Sequence, residues 1–316
     1  MAELVTGGFG FIGTNLVRRL AFEGRKIIAM DNSFLGKVSN LDGVKCKKEN
    51  MDVLNFDAME RLIKENNIDK IYHLSGYSSA TMFDNNPAEK VQDNLKGFMN
   101  VLELSRKHDI KIAYASTSSF YARCEKPYKE DMTIVPGTPY ELSKYLIEQA
   151  AHMYSAYYGI NANGMRFFSV YGPHERHKGK YANNISQFLW SIKHDISPVV
   201  YGDGSQTRDF TYVDDLVDAI VMIMEKAKRS ELYNIGTEKE HSFNAFISII
   251  NRLFGKNVKT KYIPNPLKNY VQSTLADTQK IRSIGWESKI SVEEGIKRII
   301  EFNEPVTREE TLALYA

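Results

Sequence analysis

In the stretch PGTPYELSK, from Pro136 to Lys144, a tyrosine and a lysine stand four residues apart at the head of a long helical pattern. That spacing stacks the Tyr140 and Lys144 side chains on one helix face. A phenol with a pKa of about 10 must lose roughly three units, on the order of 4 kcal/mol, to act as a base near neutral pH. An adjacent ammonium biases it in that direction. No other tyrosine of this chain has a lysine four residues on. Upstream, Ala115 to Tyr121 reads ASTSSFY, a run of hydroxyls after the strand pattern Lys111 to Ala115. A hydroxyl at Thr117 or Ser118 can hold a substrate alcohol with its proton facing the Tyr140 oxygen; taken alone, the run also reads as a Ser/Thr-rich turn.

A second constellation opens the chain. Thr6 to Gly13 reads TGGFGFIG, with Gly7, Gly10 and Gly13 set between a strand pattern and a helix pattern. Glycines there allow a tight turn and let backbone approach a diphosphate, whose charge the helix N-terminus then holds. Taken alone, a tight strand-helix loop explains it as well. Asp31 closes the next apolar run, Lys26 to Met30, roughly twenty residues on. A carboxylate placed there accepts hydrogen bonds from both hydroxyls of an adenosine ribose and repels a 2′-phosphate, so NAD is expected over NADP. Asp52-Val53, after another short run, either contacts the adenine ring or is a solvated loop.

The elements that must position these groups alternate. Leu4-Val5, Lys26 to Met30, Lys70 to Leu74 and Lys111 to Ala115 read as strands, and Phe11 to Glu23, Phe56 to Asn66 and Ala88 to His108 as helices. Such alternation predicts an α/β fold, a Rossmann-type doubly wound parallel sheet. Glu3 interrupts the first strand, which should be short. Pro139 to Tyr158 reads as a long helix stopped by Gly159, and Ile160 to Phe168 as a further strand. Beyond it Gly, Pro and Asp punctuate the chain, with helices expected near Asn183 to His194, Tyr212 to Lys228, Phe243 to Phe254 and Val292 to Phe302. We expect residues 1–168 to bind the dinucleotide. Residues 169–316 should form mainly a smaller C-terminal α/β substrate domain, with returns to the first, and end in a loosely attached tail.

Composition excludes other classes. Forty-one basic and 39 acidic side chains leave a formal charge of +2 with no polybasic block, which argues against nucleic acid as a partner. The two cysteines, Cys46 and Cys124, fit neither a disulfide framework nor a zinc site, so no metal is expected. No segment reads as a signal peptide or a membrane span, and a cytoplasmic setting is the expectation.

Taken together, these motifs resemble the extended short-chain dehydrogenase/reductase family over nearly the whole chain, and within it the UDP-glucose and UDP-N-acetylglucosamine 4-epimerases. The resemblance is carried by TGGFGFIG, Asp31-Asn32, His73-Leu74, Asn94, Thr117, PYELSK, RFFSVYGP at Arg166 to Pro173, GDGSQTRDFTYVDD at Gly202 to Asp215, and LAD at Leu275 to Asp277. It implies an NAD-dependent enzyme acting on a UDP-sugar, with Tyr140 as base, Lys144 on the cofactor ribose and Thr117 on the substrate. It further implies cofactor contacts from Gly7, Gly10, Phe11, Ile12, Gly13, Asp31, Asn32, Asp52, Val53, Leu74 and Ser75. Substrate contacts are implied for Thr117, Ser118, Ser119, Tyr140, Ser169, Arg208 and Thr274, with Arg208 gripping the UDP phosphates. Ser169 departs from the family's usual Asn, Ala122 from its Gly, and only Lys268 offers itself for a late phosphate-binding arginine. Thr274 is small where the sugar-pocket gatekeeper falls, leaving room for a 2-acetamido group. The carboxylates that family dehydratases carry after the catalytic Thr are replaced by Ser118-Ser119. A homodimer through the helices Ala88 to His108 and Pro139 to Tyr158 is also implied; Val91, Leu95, Phe98, Leu102 and Ile147 fit either that face or the sheet.

Overall fold

The computed structural model describes residues 1–228, 230–266 and 270–315 of the chain. In chain order the elements begin β1 (Ala2–Thr6), α1 (Phe11–Phe22), β2 (Ile27–Asp31), β3 (Lys47–Asn50), α2 (Phe56–Asn66), β4 (Ile68–His73), α3 (Pro87–His108), β5 (Lys111–Thr117), α4 (Pro139–Tyr158) and β6 (Ala162–Phe167). There follow β7 (Val170–Tyr171), α5 (Asn184–Lys193), β8 (Val199–Tyr201), β9 (Thr207–Asp209), β10 (Thr211–Tyr212), α6 (Val213–Lys226), β11 (Leu232–Ile235) and β12 (Glu240–Ser242). The chain closes with α7 (Phe243–Phe254), β13 (Lys261–Ile263), α8 (Gln279–Arg282), α9 (Val292–Phe302) and α10 (Arg308–Leu312).

Seven strands form one sheet in the order β3-β2-β1-β4-β5-β6-β11, and every pairing in it is parallel. Helices cover both faces: α1 and α6 pack together on one, and α3 and α4 on the other. The sheet is therefore the doubly wound type expected. The strand order reverses between β1 and β4, which opens a crevice beyond their carboxyl ends. The return β11 pairs Leu232 to Ile235 with Gly164 to Phe167 of β6. Three two-stranded ribbons, β7/β10, β9/β12 and β8/β13, make up the rest of the C-terminal part.

β1 is not shortened. All five of its residues are buried, because Glu3 finds partners: the Tyr72 hydroxyl donates to it at 2.8 Å, and Lys70 and Arg25 approach at 3.3 and 3.4 Å. A buried carboxylate with this many donors costs the strand little. In α4, Pro139 takes the first turn, where its missing N–H is no loss, and the Thr138 side chain accepts from Glu141 N–H at 3.2 Å. The helix ends at Gly159 with φ of 72°. Phe98, Leu102 and Ile147 lie in the core against the sheet; the exposed apolar side chains of α4 are Leu142, Met153, Tyr157 and Tyr158.

The C-terminal residues are not loosely attached. α10 starts with a reciprocal Thr307/Glu310 capping box, Glu310 pairs with Arg176 at 3.0 Å, and the Tyr315 and Ser191 hydroxyls bond at 2.6 Å. The Glu304 carboxyl is buried beneath this segment, facing Glu175, Arg176 and their backbone N–H groups; burial pushes its pKa from 4.5 up to about 7. A raised carboxyl pKa favours the protonated form in the folded state. Its stabilisation is complete below about pH 4.5 and is lost as pH rises through 7, a difference of about 3 kcal/mol. Glu304→Gln is therefore expected to raise the melting temperature at pH 8 and to change it little at pH 4.5, which thermal unfolding at the two pH values will measure.

Candidate active site

The turn from β1 into α1 is held by close backbone approach. Gly7 has φ of 70°, and a Cβ there would lie 2.8 Å from the Leu74 carbonyl carbon and Ser75 nitrogen at the end of β4. A Cβ on Gly13 would lie 2.0 Å from the Gly7 oxygen. Gly10, the residue before α1, has no side chain to cap the helix, and the first turn holds no acidic residue. The N–H groups of that turn thus face the cavity with an anion as their natural partner. This fits the diphosphate of a dinucleotide.

Asp31 ends β2 at the cavity edge, mostly buried, and accepts from the N–H groups of Phe9 at 3.2 Å and Ser33 at 2.8 Å. Burial pushes its pKa up against the pull of these bonds. Asn32 donates to Asp52 at 2.8 Å, joining the two carboxylates' neighbourhoods. Across the crevice, His73 is fully enclosed, bonded to the Thr6 hydroxyl at 2.9 Å, and driven to a pKa of about 3 by burial and then by Lys144. It is a neutral structural group. Asn94 fastens the following loop, accepting from Tyr77 N–H at 2.9 Å and donating to the Tyr77 oxygen at 3.2 Å and the Ser143 hydroxyl at 3.1 Å.

One cavity of about 560 Å³ collects most of the expected residues. Its wall holds Gly7, Gly10, Phe11, Ile12, Gly13, Asp31, Asn32, Asp52, Val53, Leu74 and Ser75 at one end, and Thr117, Ser118, Ser119, Tyr140, Lys144 and Ser169 at the other. Thr117 ends β5; Ser119 N–H donates to its hydroxyl at 3.1 Å, and that hydroxyl donates in turn to the Ser119 hydroxyl at 3.0 Å. The Tyr140 ring packs on Phe83, centroids 5.8 Å apart. Lys144 donates to the Ala115 oxygen at 3.1 Å.

The electrostatics differ from the sequence expectation in one respect. Burial pushes the Tyr140 phenol up to about 12, and the Thr117 hydroxyl only partly offsets this. Burial likewise takes Lys144 down to about 8, with Glu148 pulling the other way. In the chain by itself the ammonium does not bring the phenol towards neutrality, since desolvation outweighs every attraction.

Two expected substrate residues lie outside this wall. Arg208 stacks between the rings of Tyr270 and Phe243, 5.2 and 5.6 Å from their centroids, and donates to the Thr207 oxygen at 2.7 Å. Thr274 is buried, its hydroxyl accepting from Asp209 N–H at 3.0 Å. Lys268 falls outside the described residues. Conversely, the wall includes Lys178, Tyr181, Asn183 and Asn184, which motif reading passed over. Asn183 caps α5, accepting from Ile185 N–H at 3.0 Å, and that capping role was the one signal available in advance.

With this geometry in view, known proteins place the chain. The NAD dependent epimerase/dehydratase family model matches residues 3–236. A putative UDP-glucose 4-epimerase of Methanocaldococcus jannaschii is 35% identical over 302 residues, 95% of this chain and 97% of its own. The UDP-glucuronate 4-epimerase of Thermodesulfobacterium geofontis is 34% identical over 314 residues, 95% of each chain. Among solved structures, a UDP-glucose 4-epimerase of Thermotoga maritima with UDP-glucose superposes with a TM-score of 0.90 at 31% identity, covering 96% of this chain and 98% of that one. The chain therefore belongs to the NAD-dependent epimerase/dehydratase family.

Proposed function

We propose that the chain is a 4-epimerase of UDP-sugars working through a transient 4-keto sugar. The observation that carries this reading is that Thr117 and Tyr140 line the same cavity as the glycine cradle, with serines and no carboxylate directly after Thr117. When bound, NAD supplies a hydride acceptor for carbon 4 and a positive charge near the phenol. Tyr140 takes the proton of the sugar 4-hydroxyl and later returns it, while Thr117 orients that hydroxyl. Lys144 holds the cofactor ribose and keeps a cation beside the phenolate as it forms. Removal of water from the sugar needs an acid and a base flanking the leaving hydroxyl, and Ser118-Ser119 supply neither.

Arg208 is assigned the UDP phosphates. Its guanidinium is largely buried, burial pulls its pKa down, and among the described residues no carboxylate pairs with it. A buried cation without a counter-ion is costly, and a diphosphate relieves that cost. Arg208→Leu is expected to weaken UDP binding by about ten- to a hundredfold, measured by calorimetry, with NAD content unchanged. By the resemblance alone, since Thr274 lies outside the cavity wall, its small size leads us to expect that UDP-N-acetylglucosamine and UDP-N-acetylgalactosamine are accepted alongside UDP-glucose and UDP-galactose. Similarity to a UDP-glucuronate 4-epimerase makes the acidic sugar the second candidate.

Chromatography with mass spectrometry on each sugar tests the reading. An epimer of unchanged mass supports it; a product that has lost water or carbon dioxide assigns the chain to a dehydratase or decarboxylase instead. The exposed row Leu142, Met153 and Tyr157 on α4 further suits pairing with a second copy, and sedimentation as a monomer at micromolar concentration would exclude it.

A further inference from the structure

The segment between β7 and α5 contributes a lysine, Lys178, to the cavity wall. Lys178 and Lys144 are the two cationic side chains among the described residues of that wall, against Asp31, Asp52 and Asp93. Lys144 donates to the Ala115 oxygen and is assigned the cofactor ribose above. Lys178 sits with its ammonium 5.2 Å from the centroid of the Phe11 ring, and Phe11 is the first residue of α1. It therefore stands beside the uncapped helix terminus where the cofactor's diphosphate belongs.

What holds it there is unusual for a surface lysine. Glu175 is fully buried, and its carboxylate accepts from Lys178 at 2.8 Å, from the Ser186 hydroxyl at 2.6 Å and from Asn183 N–H at 3.1 Å. Ser186 and Asn183 satisfy further acceptor sites of Glu175, so one N–H of the ammonium suffices for the pair and two of its three donors are left over. The face of Phe11 restricts the stem further. A flexible four-carbon chain is thus aimed before any ligand arrives, which lowers the ordering cost of binding.

We propose that Lys178 contacts the diphosphate of the bound dinucleotide, with Glu175 as the positioning residue that aims its ammonium. A lysine serves as a point charge for phosphate, and here it places an ammonium on a wall whose other charged side chains are Lys144, Asp31, Asp52 and Asp93.

The test uses the protein saturated with NAD and chased with isotopically labelled NAD, exchange being followed by mass spectrometry. Lys178→Met is expected to exchange about tenfold faster than the parent, and Lys178→Arg to stay within about threefold, because it keeps the charge. Exchange by Lys178→Met within about twofold of the parent overturns the proposal. So does an arginine variant as fast as the methionine one, which would point to packing. UDP affinity falling as much as NAD retention also overturns it, by assigning the lysine to the substrate's phosphates. NAD is common to the whole family, so a negative result leaves the epimerase reading standing.

Discussion

Tyr140→Phe is expected to lower turnover of a UDP-sugar by about a thousandfold or more, while UDP affinity and NAD content stay near those of the parent. The change deletes one oxygen and keeps the ring that packs on Phe83. It therefore removes the proton acceptor without opening a cavity. The expectation follows from the position of the phenol in a desolvated site, where burial pushes it up to about 12 and the Thr117 hydroxyl offsets this only in part. No other tyrosine is paired with a lysine in this way, so no neighbour can take over the proton. Steady-state kinetics together with UDP calorimetry will separate loss of chemistry from loss of binding. A variant retaining a tenth of the parent's turnover would remove Tyr140 from the role.

Glu148→Ala is expected to cost about 3–5 kcal/mol of stability, read from urea unfolding. Glu148 and Arg166 are both almost wholly buried and meet in a two-pronged pair at 2.9 and 2.7 Å. Ser116 also donates to Glu148. Arg166 continues to the Tyr121 hydroxyl at 2.6 Å, which donates to Asn234 at 2.9 Å. The network ties α4 to β5, β6 and β11 directly behind the hydroxyl run. Removing the acid leaves an uncompensated guanidinium in the core, and that stranded charge, more than the lost attraction, sets the size of the effect. Replacing both partners with methionine should recover much of the loss. Because Glu148 also supports the charge on Lys144, its removal should lower the Lys144 pKa further below about 8. The alkaline limb of the kcat/KM profile should then move to lower pH, provided the variant is assayed where it remains folded.

The parts legible in the sequence are those whose signal is local. α2, α4, α7 and α9 begin and end at the residues their periodicity and stop signals indicate, because apolar spacing, a cap and a glycine or asparagine stop lie within a few turns. β3, Lys47–Asn50, has no signature in the sequence, because this polar edge strand carries no apolar alternation. β1 looked compromised because the partners that accommodate Glu3, Tyr72 and Lys70 in β4, lie about seventy residues away. The same holds for the site. Glycine turn, Asp31 and the Tyr140/Lys144 pair are short-range patterns with chemistry written into their spacing. Lys178 enters the wall from an irregular segment, aimed by Glu175 and backed by the distant Phe11, so its position is a product of tertiary packing. The aromatic cage around Arg208 likewise joins Phe243 and Tyr270, which no local pattern links.

The central claim is that hydrogen leaves carbon 4 of the sugar and returns to the same carbon from within the site. Incubating the purified protein, without added NAD, with UDP-glucose or UDP-N-acetylglucosamine deuterated at carbon 4 tests it directly, with the product read by NMR and mass spectrometry. The expected product is a 4-epimer that keeps its deuterium. A product whose carbon 4 hydrogen comes from solvent, or no 4-epimer from either sugar or from UDP-glucuronate with NAD supplied, would contradict it.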